Sequence, residues 1–150
     1  MLLEQIEKDL IEAIKQIEKI KVSTLRMLKS AIHNWQIANQ KEPQDGDVLA
    51  IIQKEIKARQ DSVKLYKLGG RQELAKKEAR EIEILKKYLP KPLSEEAIRT
   101  KVREQITQTG ASGLQDIGKV MGPLMGQFKG QADGGTVSKI VKEELSGKND

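Results

Sequence analysis

The apolar residues of this chain recur every three or four positions in stretch after stretch, and nowhere do they alternate with polar residues over a strand's length. That period is one face of an α-helix, so the sequence predicts an all-α fold. Residues 3–20 place Leu3, Ile6, Leu10, Ile14 and Ile17 in one stripe. Residues 22–41 repeat the pattern with Leu25, Leu28, Ile32 and Trp35. Pro43, Asp45 and Gly46 then mark a turn. A third helix is expected from about Asp47 to Leu68, with Leu49, Ile52, Ile56, Val63 and Tyr66 inward. A fourth, from about Arg71 to Leu89, turns Leu74, Ala75, Ile82, Leu85 and Leu89 inward. Gly69-Gly70 ends the third helix, because glycine takes the left-handed terminal conformation without a Cβ clash. So short a link makes helices three and four an antiparallel hairpin.

Pro90 and Pro92 stop the fourth helix and divide the chain into an N-terminal four-helix part, 1–92, and a C-terminal three-helix part, 93–150. The second part, at about 58 residues, is near the lower size for independent folding. Ser94 reads as an N-cap with Glu95 and Glu96 in the first turn, and Leu93 and Ile98 have the spacing of a hydrophobic staple. The fifth helix carries Ile98, Val102 and Ile106 and ends at Gly110. A sixth lies within about Gln115 to Phe128, with Ile117, Met121, Leu124 and Phe128 on one face. A seventh starts near Asp133, a cap, and buries Val137, Ile140, Val141 and Leu145, and Gly147 to Asp150 should fray.

Composition narrows the chemistry. Aromatics are 3% of the 150 residues, which argues against a sandwich or barrel. The absence of Cys excludes disulfides, thiol catalysis and cysteine metal sites, and a single His cannot build a His-rich metal centre. No apolar run approaches the ~20 residues of a membrane span. The opening MLLEQIEKDL carries acids among its apolar residues, unlike a secretory leader. The expectation is a cytoplasmic protein without metal or cofactor.

A catalytic set is poorly supported. His33 falls opposite the Leu25/Leu28/Ile32/Trp35 stripe and reads as a surface residue. No P-loop or dinucleotide fingerprint is present. Gly118, Gly122 and Gly126 sit inside a helical pattern, where each costs about 1 kcal/mol relative to Ala. Their spacing favours a tight contact with another helix of the same domain over a groove facing RNA. Pro123 should kink or break that helix, since its ring clashes with the carbonyl of Lys119.

The net charge of +5 belongs wholly to residues 1–92; residues 93–150 are neutral. Between positions 19 and 41 stand Lys19, Lys21, Arg26, Lys29 and Lys41 without an acid. Arg26, Ser30, His33 and Ile37 align on the outer face of the second helix, with Lys29 beside them. Such a face can follow a phosphate backbone, and Arg26, Lys29 and Lys41 are candidate RNA contacts on a common surface. A plain solvated face is the competing reading. In the second part, Lys129 precedes a helix whose first turn holds Gly134 and Gly135. Open backbone N–H groups there can receive a phosphate, unless Asp133 simply caps the helix.

Two charges fall where core residues belong. Arg59 lies within the third helix's apolar stripe and Glu78 within the fourth's. Unpaired burial is costly, so a cross-hairpin pair of Arg59 with Glu78, or with Glu81 as second acceptor, is expected.

The segments LRMLKSAIHN (25–34), KEIKARQDSVKLY (54–66), GRQEL (70–74) and EIEILKKYLPKPLSEEAI (81–98) together resemble the GatB/YqeY domain family in its free-standing YqeY form. DIGKVMGPLMGQFKGQADGGTVSKIV (116–141) is similar to the tail domain of the GatB subunit of glutamine-dependent tRNA amidotransferases. The resemblance covers nearly the whole chain and rests on the order of the segments. Pro123 departs from the usual pattern. The resemblance implies an all-helical two-part fold and a link to enzymes that amidate Glu-tRNA(Gln) or Asp-tRNA(Asn). In those enzymes the chemistry resides outside the tail, which helps recognise the tRNA body. It therefore implies a non-catalytic module that binds tRNA or a tRNA-handling enzyme, an aminoacyl-tRNA synthetase or an amidotransferase. A protein–protein adaptor without RNA contact is the alternative. An autonomous carbon–nitrogen ligase with glutamine as amido donor is a distant third.

Overall fold

The computed structural model describes residues 1–147, which form α-helices and one short 3₁₀ turn and no strand. The chain divides into two compact units, Met1–Leu89 and Pro90–Asp150.

The first unit holds α1 (Leu2–Lys15), α2 (Lys19–Asn39), α3 (Asp45–Leu68) and α4 (Gln72–Lys86). Its core is Ile6, Leu10, Leu25, Leu28, Ile32, Val48, Ile51, Ile52, Ile56, Ile82 and Leu85, with Trp35, Val63 and Leu89 packed at its margin. The α3–α4 turn follows the glycine logic. Gly70 takes φ +73°, the Gly70 N–H bonds the Lys67 carbonyl, and the Arg71 N–H bonds the Tyr66 carbonyl. These two bonds close the helix end with a left-handed residue.

Four apolar positions depart from expectation. The α1 stripe turns inward through Ile6, Leu10 and Ala13, leaving Ile14 47% exposed. α1 stops at Lys15, so Ile17 sits in the connecting turn at φ +58° and is 76% exposed. In α3, Val48 and Ile51 are buried beside the expected Ile52 and Ile56, while Leu49 is half-buried. Leu74, near the hairpin tip, is 38% exposed because it lies beyond the reach of the core.

The second unit holds α5 (Glu95–Thr109), a 3₁₀ turn (Leu114–Asp116), α6 (Ile117–Gln127) and α7 (Gly134–Gly147). Ser94 caps α5, its hydroxyl accepting the Ala97 N–H at 3.1 Å, and Gly110 closes the helix at φ +69°. The core gathers Ile98, Val102, Ile106, Ala111, Val120, Leu124, Phe128, Val137, Ile140, Val141 and Leu145. Gly147 closes α7 rather than lying beyond it; the rest of the tail expected to fray, 148–150, lies outside the described residues.

Of the expectations for α6, the tight helix contact fails, and the break at Pro123 does not occur. A Cβ built on Gly118, Gly122 or Gly126 meets nothing within 4 Å, so the glycines make no close helix contact. α6 buries Val120 and Leu124, and at 100° per residue the glycines fall on the far side. Pro123 is exposed and α6 continues through it. Its solvent-facing position leaves the Lys119 carbonyl open to water, which relieves the missing hydrogen bond.

Candidate nucleic-acid interface

α2 begins straight after the left-handed Ile17 turn, and its core face of Thr24, Leu25, Leu28 and Ile32 fixes which side looks outward. Arg26, Ser30, His33 and Ile37 are all exposed on that side. Lys29 is half-buried at its edge, with its Nζ 3.5 Å from the Glu7 carboxylate of α1. The acid missing from the α2 sequence is thus supplied by a neighbouring helix. Both side chains remain 40% or more exposed, so the pair is weak and open to exchange for another anion. Beside this face runs an open groove of about 460 Å³ lined by Leu3, Glu7, Lys29, Ser30, His33 and Gln36.

Lys41 lies beyond the end of α2 with its ammonium 5.4 Å from the centre of the Trp35 ring, a cation–π distance. Trp35 packs at the margin of the core, so the ring that Lys41 covers is held in place.

In the second unit, Lys129, Gly134 and Gly135 are exposed. Asp133 occupies the helix start between them: its carboxylate accepts the Thr136 N–H and the Thr136 hydroxyl, each at 2.8 Å. A phosphate there would compete with that carboxylate. A Cβ on Gly135 would come within 3.2 Å of the Asp133 Oδ1, a local reason for glycine.

The buried charges form one network. Arg59, 5% exposed, donates from Nε to Glu81 at 2.9 Å and from Nη1 to Glu55 at 2.8 Å; a further Nη1 bond reaches the Glu55 carbonyl at 3.2 Å. Nη2 lies 3.7 Å from the Met27 sulfur. Burial works to lower the guanidinium's pKa, but the bonds to Glu55 and Glu81 outweigh it and hold the group above its ordinary value. The cross-hairpin partner is Glu81, 4% exposed, rather than Glu78. Glu78 is half-buried nearby, and burial together with the Glu81 charge pushes its carboxyl above the usual range. Glu55 went unnoticed in the sequence, although Glu55 and Arg59 have the i,i+4 spacing of a helical pair.

Other contacts had no sequence signal. The Tyr88 hydroxyl donates to Asp9 at 2.6 Å across 79 residues, and burial plus that carboxylate push its pKa up. Arg99 binds Glu143 and Glu144, each at 2.8 Å, and Arg103 Nε binds Glu144 at 2.9 Å. Arg103 and then Arg99 hold the Glu144 carboxyl below its ordinary value. Among the described residues no His/Asp/Glu cluster suits a metal ion, and no helix is long and apolar enough to cross a membrane.

The family described as Yqey-like protein matches residues 3–145. This chain belongs to the YqeY-like family. A relative is "Altered inheritance of mitochondria protein 41, mitochondrial" of Pyrenophora tritici-repentis, 26% identical over 150 residues, 99% of this chain and 83% of that one. Another is "Uncharacterized protein C22F3.15" of Schizosaccharomyces pombe, 32% identical over 89 residues, 59% of this chain and 72% of that one. The YqeY-like match spans both units, so the basic α2 face and the glycine-bearing α6 both belong to the family's shared region.

Proposed function

We propose that this YqeY-like protein is a tRNA-binding accessory module, allied to glutamine-dependent tRNA amidotransferases and not catalytic alone. The observation that carries the reading is the α2 face: Arg26, Ser30 and His33 stand exposed together, and Lys29 adds a cation whose ion-pair partner among the described residues, Glu7, is itself half in water. Cations displayed along one helix suit a phosphate backbone, which needs charge and reach rather than a closed pocket. Partners are tRNA itself or a tRNA-handling enzyme, and the setting is cytoplasmic translation.

The test is titration of purified protein with total tRNA at two salt concentrations, wild type beside Arg26→Gln/Lys29→Gln. The double variant should bind more weakly across many RNA sequences. Its log–log salt slope should be shallower by about 0.7–0.9 per lost phosphate contact. Stability should move by less than about 0.5 kcal/mol, since both positions reach solvent. Wild-type affinity and slope in the variant would remove the α2 face from consideration. A second reading, a protein adaptor, draws on Ile37, which is 64% exposed on the same face. Partner capture that survives RNase treatment would favour it.

A further inference from the structure

The α3–α4 hairpin outruns the core. No residue of α3 beyond Arg59 is buried, and the first buried residue of α4 is Ala75. At this tip Leu68 is 86% exposed, Leu65 69% and Leu74 38%. Leu68 is the most exposed large apolar side chain described. Leu65 and Leu68 are three apart on one helix and share its outward side. Around them, residues 63–77 hold Lys64, Lys67, Arg71, Lys76 and Lys77 against the single acid Glu73. All five cations are exposed. Among the described residues Lys76 alone of the five forms an ion pair, with Glu73 at 3.4 Å.

We infer that the tip of the α3–α4 hairpin docks on an anionic lipid surface, the leucines entering the headgroup boundary and the surrounding Lys and Arg meeting lipid phosphates. Two properties must be satisfied at once. The cations call for a polyanion. The leucines call for an apolar medium, which a nucleic-acid backbone does not offer; its unpaired bases stack on aromatic rings, and leucine has none. A bilayer interface supplies both, and the combination of apolar side chains with Lys and Arg is what interfacial binders use. The hairpin ends on a tight glycine turn, a narrow end that needs no matching groove in a soft surface. Tyr66, half-buried at the base of the tip, places an amphipathic ring at headgroup depth.

The experiment is co-sedimentation of the full chain with vesicles of phosphatidylcholine alone and of phosphatidylcholine containing phosphatidylserine. Binding should appear with the anionic vesicles and fall as salt rises. Lys64→Gln/Lys67→Gln should weaken it about five-fold per charge removed. Leu65→Ser/Leu68→Ser should abolish vesicle binding while the helical circular dichroism and the tRNA titration stay as in wild type. No partition onto anionic vesicles overturns the inference. So does a leucine variant that binds vesicles as well as wild type, because the cations would then be acting as a general polyanion site. Loss of tRNA binding in the leucine variant would instead assign the tip to RNA and also overturn it.

Discussion

Arg59 shows how much one side chain can hold. It touches Glu81 from α4, Glu55 from its own helix and Met27 from α2, and no buried side-chain polar atom among the described residues lacks a partner. Arg59→Ala would strand the buried Glu81 carboxylate and should cost about 3–5 kcal/mol in denaturant unfolding. Arg59→Met/Glu81→Leu, which removes both charges, should recover most of that loss. A single variant as stable as wild type would show the pair to be dispensable. Ile17 is the opposite case. A β-branched residue at φ +58° carries about 1–2 kcal/mol of backbone strain, and its exposed side chain contributes little burial in return. Ile17→Gly should raise stability by up to about 1 kcal/mol after the extra freedom of the unfolded glycine is set against the gain. A loss of stability would mean that the freedom glycine adds to the unfolded chain and the contacts the isoleucine makes within it outweigh the strain.

The helices themselves were largely legible in the sequence, because a repeat of three and four survives small errors in phase. Core membership was read less well where phase decides it: Leu49 and Leu74 were placed inward, while Val48 and Ile51 took the burial. The candidate site was legible as a face, since Arg26, Ser30 and His33 are exposed together on α2. What charge surrounds it was not, because Glu7 reaches Lys29 from another helix and no local pattern encodes that meeting. α6 gives this scale its test. Its glycines face open space, so Gly118→Ala, Gly122→Ala and Gly126→Ala should each stabilise the second unit by about 0.5–1 kcal/mol, roughly additively. Calorimetry of the triple variant checks it. A triple variant that melts lower would contradict the open space found at the three glycines.

At the scale of the molecule the two units should answer acid differently. Glu144, in the second unit, has its carboxyl held below the ordinary 4.5 by Arg103 and Arg99. Its contribution is complete above about pH 4.5 and is lost as pH falls through the lowered value. Asp116, half-buried, is shifted the same way, chiefly by the Ser112 N–H and then by Lys119. Glu78, in the first unit, is raised above 4.5 by burial. Its contribution is present below about pH 4.5 and is lost as pH rises through the raised value. Hydrogen exchange at falling pH should therefore find the amides of α5 to α7 losing protection before those of α2 to α4. Glu144→Gln should flatten the acid response of the second unit. Simultaneous loss in both units would contradict this.

The Trp35–Lys41 contact has an optical consequence. Trp35 is the chain's single tryptophan, and both tyrosines, Tyr66 and Tyr88, also fall within Met1–Leu89. Ultraviolet emission therefore originates in the first unit alone, and the second, whose one aromatic ring is Phe128, is dark at tryptophan wavelengths. A positive charge 5.4 Å from the indole tunes the emission colour, so Lys41→Gln should shift the spectrum without unfolding the protein. Fluorescence then follows one half of the molecule and circular dichroism both, which makes the difference between the two melting curves a readout of the half that does not shine.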